Sequence, residues 1–219
     1  MEDYTKCRLF WDGVFAGEDT SVPVKKESGC PAFDEGLDWL CRDAETVLDF
    51  GCGDGTVLFL AAWRGTREHI GIDLSAAGVE KARCRAVKMP RGRYRFLCGG
   101  VETLEEIGDG WADALVLSNI VDNLYPEDAH RALAQARRIL RAGGRLFLKL
   151  NPYLTGEQIR EWHIRVIRDN VLDDGLILWN NTTEEWERIL GRYFSVVRLL
   201  DVYYEEHDQH NRLFLAEKK

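Results

Sequence analysis

None of the six cysteines stands in a CxxC pair, and no Cys/His spacing matches a zinc site, which excludes metal-stapled and CxxC redox folds. Cys7, Cys30, Cys41, Cys52, Cys84 and Cys98 are scattered through an acidic chain and read as reduced, partly buried thiols. No run of 18 apolar residues occurs, so no membrane span is expected. The opening stretch MEDYTKCRLF lacks the basic segment and apolar run of a signal peptide, so the expected location is cytoplasmic. Positive charge is also in short supply. Lys and Arg number 29 against 37 Asp and Glu, for a net charge of −8, which disfavours a phosphate backbone as partner. Internal repeats and low-complexity tracts are absent, which excludes solenoids.

What is present is ordinary globular material, 45 % apolar and 30 % charged over 219 residues, enough for one large domain. Between 46 and 150, short apolar runs alternate with amphipathic stretches. Thr46–Phe50, His69–Asp73, Tyr94–Cys98, Ala114–Ser118 and Arg145–Leu150 read as strands. Thr56–Trp63, Ser75–Lys88 (with Ser75 as N-cap) and Pro126–Arg141 (stopped by Gly143-Gly144) read as helices between them. Such alternation predicts an α/β, doubly wound, Rossmann-like sheet with helices on both faces. At the end of the chain, Ser195–Tyr204 and Arg212–Ala216 read as an antiparallel hairpin at the sheet edge. Thr182 and Glu185 form a capping box for a helix over Thr183–Leu190. The expected sheet is thus seven-stranded and mostly parallel within a single domain. That domain divides into an N-terminal cap segment (1–45), a cofactor-binding core (46–150), a substrate-cap insertion (151–180) and a C-terminal helix and hairpin (181–219). Both segments outside the alternation are rich in aromatics, including Trp11, Phe15, Trp162 and Trp179.

In a doubly wound sheet, ligands lie at the carboxyl ends of the strands. There the first strand ends in Asp49-Phe50-Gly51-Cys52-Gly53-Asp54-Gly55, a turn whose glycines admit a ligand against the backbone. The second strand ends at Asp73, 24 residues after Asp49, where a carboxylate can accept from both hydroxyls of a ribose. A nicotinamide dinucleotide fingerprint needs a third glycine where this chain has Thr56, and its pyrophosphate would meet carboxylates at Asp49 and Asp54. A cationic nucleoside suits those acids better.

DFGCGDG followed by IGIDLS resembles the first two motifs of class I S-adenosylmethionine-dependent methyltransferases. The resemblance continues through GGVETL (99–104), LSNIVDNL (117–124) and LRAGGRLFL (140–148), and so covers residues 46–150. It implies S-adenosyl-L-methionine as cofactor. Asp49, Gly51, Cys52 and Gly53 would lie around the methionine moiety. Asp73 would hold the ribose, and Leu74, Gly100, Val101 and Glu102 would surround the adenine. Ser118, Asn119 and Ile120 would face the sulfonium and the acceptor. One departure is Gly99-Gly100, where many members carry an acid for the adenine amino group.

No unambiguous catalytic base stands out. Asp122, Tyr125, Tyr153 and His163 are candidates. Asn151-Pro152-Tyr153 resembles part of an amino-methylating signature but follows the fifth strand rather than the fourth, so it reads as a turn. His163 in EWHIRV reads as a helix-surface residue. The basic run Arg83, Arg85, Lys88, Arg91, Arg93, Arg95 reads as a solvated face rather than a nucleic-acid stripe. The expected activity is methyl transfer to a small-molecule acceptor, with no metal, no nucleic acid, no membrane, and a monomer or homodimer. The alternatives are a non-catalytic S-adenosylmethionine-binding subunit or sensor, and a nicotinamide-dependent oxidoreductase.

Overall fold

Along the first strand, Val47 and Asp49 point to one face and Leu48 and Phe50 to the other, and all four are buried. A strand buried on both faces belongs in the middle of a covered parallel sheet, and the computed structural model puts it there. The structure describes residues 4–219, so residues 1–3 of the N-terminal segment lie outside the described residues. The elements run α1 (Thr5–Phe15), α2 (Pro31–Leu40), β1 (Thr46–Phe50), α3 (Thr56–Trp63), β2 (Glu68–Asp73), α4 (Ala76–Ala86) and β3 (Arg93–Cys98). They continue β4 (Ala112–Ser118), α5 (Pro126–Ile139), β5 (Leu140–Leu150), α6 (Gly156–Glu161), β6 (Arg165–Arg168), β7 (Val171–Asp174) and β8 (Leu176–Trp179). Last come α7 (Thr183–Leu190), β9 (Phe194–Tyr204) and β10 (Gln209–Lys218).

The main sheet is seven-stranded with order β3-β2-β1-β4-β5-β10-β9. The β1, β2, β3, β4 and β5 neighbours pair in parallel, and β10 runs antiparallel to both β5 and β9. The doubly wound expectation and the edge hairpin therefore hold. Two cores cover the faces. Phe33 and Leu37 of α2 pack with Val47, Val116, Phe147 and Leu213 on one side. Leu133 and Ile139 of α5 and Trp186 of α7 pack with Leu48, Leu115 and Leu148 on the other. The capping box predicted at Thr182 forms, and Ser75 caps α4 by accepting from the Gly78 N–H at 3.0 Å.

Two expectations need correction. Helix α5 ends at Ile139, not at Arg141, and Gly143-Gly144 lie inside β5 instead of stopping the helix. Leu140 already pairs with Ala112, while Arg145 pairs with Ala114, so the residues between bulge out of the ladder. Gly143, with φ 69°, turns that bulge. The second correction concerns 151–180, which holds a separate three-stranded antiparallel sheet, β6-β7-β8, that was not foreseen. Among the described residues no helix is long and apolar enough to cross a membrane.

Candidate active site

The chain leaves β1 through Gly51, Gly53 and Gly55, with φ of 83°, 51° and 82°, a left-handed run that side chains resist. The Gly51 and Cys52 N–H groups both donate to Ile72 O of β2, at 2.8 and 3.1 Å. The Gly53 N–H donates to Asp73 Oδ2 at 2.7 Å, and the Ser75 N–H to Asp73 Oδ1 at 2.8 Å. The glycine turn and the acid downstream of it are therefore one bonded unit. A Cβ on Gly53 would stand 2.6 Å from Phe15 Cζ, so that glycine also makes room for α1.

Above this unit opens a cavity of about 460 Å³, within the range of small-molecule sites. The turn contributes Gly51, Cys52 and Gly53, and the β2 exit contributes Asp73 and Leu74. Past β3 come Gly100, Val101 and Glu102, and past β4 come Ser118, Asn119 and Ile120. Of the predicted cofactor residues Asp49 alone does not line it. Asp49 is buried beneath the turn, and neither carboxylate oxygen has a hydrogen-bond partner. Burial, then the charge of Asp73, holds its carboxyl well above the usual range. Asp54, the other acid of the turn, is spoken for. It forms an ion pair with Arg85 at 2.7 Å, and the same oxygen accepts from the Thr56 hydroxyl. Burial also pushes the Cys52 thiol up, so Cys52 is an inert filler of the turn.

The missing acid at Gly99-Gly100 has a local explanation. A Cβ on Gly99 would meet Thr103 Oγ1 at 2.0 Å, so a side chain there would force Thr103 aside. At Gly100 a Cβ would stand 2.9 Å from Glu102 Oε2, because Glu102 folds back to accept from the Gly100 N–H at 2.9 Å. The Glu102 carboxylate thus occupies the space that a side chain at position 100 would fill.

The far wall of the cavity is α1, none of whose residues is buried. Tyr4, which precedes it, and its own Cys7, Arg8, Trp11 and Phe15 line the space, and Trp11 stacks on Phe15 with centroids 5.7 Å apart. Polar ties hold the helix down. Asp12 accepts from the Ser75 hydroxyl at 2.7 Å, Tyr4 donates to Asp128 at 2.8 Å, and Lys6 pairs with Asp173 at 2.7 Å. Of these lining residues, Tyr4, Cys7 and Arg8 were not singled out, nor were Asp128 and Arg131 of α5. The signal available for α1 is its aromatics, with Trp11 and Phe15 four residues apart and so on one helical face.

None of the four candidate bases lines the cavity. Asp122 is wholly buried, and its Oδ2 accepts from the Asn151 N–H at 2.7 Å. Tyr125 packs edge-on against Tyr4. Tyr153 is exposed, in the turn after β5. His163 is exposed with φ 54°, in the turn between α6 and β6, so its expected place on a helix is corrected. Most of the basic run is a solvated face, as expected, for Arg83, Lys88, Arg91, Arg93 and Arg95 are exposed. Arg85 is buried, Arg83 donates to Phe96 O, Arg91 lies over the Trp63 ring, and Arg93 pairs with Glu68.

The donor set fits a cationic nucleoside. Asp73 can accept ribose hydroxyls, and a cation above the turn would draw the unpartnered Asp49 carboxyl toward its ionised form. A pyrophosphate at the turn would instead face the carboxylates of Asp73 and Glu102. Among the described residues no group of three or more His, Cys, Asp or Glu could hold a metal.

Comparison with known proteins agrees with this geometry. Residues 47–144 match the methyltransferase domain family. Over 207 residues the chain is 24 % identical to the tRNA N(3)-methylcytidine methyltransferase trm140 of Schizosaccharomyces pombe, covering 89 % of this chain and 66 % of that protein. Over 115 residues it is 35 % identical to the ribosomal protein L11 methyltransferase of Cupriavidus necator, covering 51 % of this chain and 35 % of that one. The chain therefore spans less than two thirds of these relatives' own length. Among solved structures it resembles the N-methyltransferase NodS of Bradyrhizobium japonicum in complex with S-adenosylhomocysteine. The TM-score is 0.68 at 15 % identity, over 97 % of this chain and 98 % of that one. Residues 47–144 thus match the methyltransferase domain family, and the sheet order gives the chain the fold of class I S-adenosylmethionine-dependent methyltransferases.

Proposed function

We propose that the chain is an S-adenosylmethionine-dependent methyltransferase acting on a small-molecule acceptor. The observation that carries the cofactor is the bonded unit of Gly53 and Asp73 over the unpartnered Asp49. Asp73 holds the ribose hydroxyls, Glu102 takes the adenine edge, and Leu74 and Val101 flank the ring. Ser118, Asn119 and Ile120 stand where the methyl group is handed over. When bound, the cofactor supplies a carbon already activated by its sulfonium. The chain's own task is then to bring the nucleophile close, aligned and dry. Trp11 and Phe15 exclude water from above. None of the four candidate bases lines the cavity, so the reading assigns none of them a proton transfer.

Two features support a small acceptor. The chain carries a net charge of −8, and α1 covers the cavity. In this reading residues 1–45 cap the cofactor. The insertion 151–180 braces that cap through Asp173 and shapes the approach of the acceptor.

The test is incubation with methyl-labelled S-adenosylmethionine and three separate pools: small metabolites, bulk tRNA and total protein. Label in the metabolite pool, with release of S-adenosylhomocysteine, is the expected result. Label in tRNA or protein overturns the small acceptor and follows the named activities of the two relatives. Tight cofactor binding with no label in any pool points instead to a non-catalytic sensor.

A further inference from the structure

Asp49 lies beneath the glycine turn without lining the cavity, so direct contact with a ligand does not explain an acid there. It is 1 % exposed, and neither of its oxygens has a hydrogen-bond partner. Its backbone is fixed between two strands, paired with Gly71 of β2 and Val116 of β4. Side chains alternate along a strand, so its carboxyl group shares the face of Val47 and Val116, the face covered by the core of Leu58, Phe59 and Phe147.

A carboxylate buried without a donor or a cation is so costly that the group keeps its proton instead. The groups around it give no relief. Asp73 on β2 adds a like charge, which acts with burial to hold the Asp49 carboxyl well above its usual range. In the turn, Cys52 is a protonated thiol and Asp54 is paired with Arg85 of α4. Helix α3 (TVLFLAAW) carries no titratable side chain. On α2, Asp34 and Asp38 are paired with Arg64, and Glu35 with Arg198. Asp113, at the opposite end of β4, is paired with Arg141. Lys149 of β5 donates to the Tyr204 hydroxyl, and Asp12 of α1 accepts from Ser75.

We propose that Asp49 is a proton store for the cofactor site: it stays neutral until a cation settles above the turn and then ionises, so that binding of S-adenosylmethionine releases a proton and tightens as pH rises. The proposal rests on the methyltransferase reading above. In the step, the Asp49 O–H bond breaks, its electron pair stays on oxygen, and the proton passes to the buffer. The methionine end of the ligand brings an ammonium and a carboxylate with or without the methyl group. The charge that differs between cofactor and product is the sulfonium, which S-adenosylhomocysteine lacks. In a buried site one added positive charge favours the ionised carboxyl group. Once the methyl group has gone, Asp49 takes a proton back, and the product loses an attraction that the cofactor had. Asp49 thus makes the site prefer cofactor to product by a margin that widens with pH.

Calorimetry at about pH 6, below the range in which the ligand's own amino group titrates, counts the protons released when it is repeated in buffers of different ionisation heat. With S-adenosylmethionine, wild-type protein should release about half a proton or more beyond what S-adenosylhomocysteine releases. Between about pH 5 and pH 7, the ratio of the two affinities should climb by up to about tenfold per pH unit. Asp73 meets the same ribose in both ligands, and Asp49→Asn shows whether it supplies the proton. In that variant the two ligands should release equal numbers and the ratio should stay flat. Equal release in wild type, or a difference that survives in Asp49→Asn, overturns the proposal. If Asp49→Asn does not fold, the side-chain carboxyl carbon of Asp49 decides, followed in carbon-13-labelled wild type and assigned through its own backbone. It should carry the protonated shift without ligand and the ionised shift with S-adenosylmethionine, and an unchanged resonance overturns the proposal. Wild-type protein that binds neither ligand removes the methyltransferase reading and the proposal with it, whereas binding of both with equal proton counts removes only the role of Asp49.

Discussion

The two halves of the sheet treat their polar groups in opposite ways at the carboxyl ends. On the β1–β2 side the backbone does the bonding and the carboxylates keep spare capacity. Gly53 and Ser75 use their N–H groups to orient Asp73, while Asp49 has no partner at all. On the β4–β5–β10 side the side chains bond one another. Asn119, Asn151, Asn211 and Asp122 form a chain, and Arg212 ties Asn151 O to Asn181 O. Unspent acceptor capacity suits a ligand that brings its own donors and its own cation. A closed amide chain suits orientation, because few of its groups remain free and each of those is fixed. One half is thus built to hold and the other to aim.

The sharpest way to break the comparison is Asp73→Ala. It removes the acceptor for two backbone N–H groups as well as for the ribose hydroxyls, so affinity for S-adenosylmethionine should fall several hundred-fold, on the order of 4 kcal/mol. Calorimetry that showed unchanged affinity would end the assignment of the ribose to β2.

Next in size is a pH effect on stability from the aiming half. Asp122 has its carboxyl raised from 3.8 to about 6, with burial as the leading cause. A carboxyl raised by folding binds its proton more tightly in the folded state, so its contribution is fully present below the unfolded value. It is lost as pH rises through the folded one. Between about pH 4 and pH 6, wild type should therefore lose about 3 kcal/mol relative to Asp122→Asn, and the two curves should run parallel above that window. Denaturant unfolding of both proteins across this range measures the difference. Curves parallel throughout would mean that Asp122 titrates normally.

The holding half was largely legible in the sequence, and the aiming half was not. Glycine placement and a strand-end acid are local signals. Gly51, Gly53 and Asp73 could be named because backbone turns and strand ends dictate them within a few residues. The amide chain joins positions 119, 151 and 211, which only the sheet order brings together. Asn119 and Asp122 were named, but Asn151 was taken as part of a turn, and nothing in the sequence linked them. The small sheet was missed for another reason. Its turns are marked by Asp169-Asn170 and Asp174-Gly175, with φ 44° at Asp169 and 79° at Gly175. Its strands have only four residues each, too short for alternation to stand out. The lid α1 was legible only as a cluster of aromatics. Its contacts are polar ties to distant elements, and with none of its residues buried, its amphipathic pattern gives no strong core signal.

The mildest test asks whether the lid belongs to the holding half at all. Phe15 is the point of contact, since the positions of both Gly53 and Gly78 are shaped around its ring. Replacing it with alanine leaves the ties through Asp12, Tyr4 and Lys6 intact, so α1 should stay in place while the cover over the glycine turn thins. Removing a half-buried phenylalanine from a ligand's apolar wall is worth about 1.4 kcal/mol, or about tenfold in affinity. The loss should appear as faster release of S-adenosylmethionine in stopped-flow measurements, with little change in association rate, because the lid covers the ligand rather than recruiting it. A slower association at unchanged release would show that Phe15 shapes the entrance instead. Unchanged rates in both directions would mean that the glycine turn and Asp73 hold the cofactor without help from α1, and that Trp11 and Phe15 serve only to pack the helix.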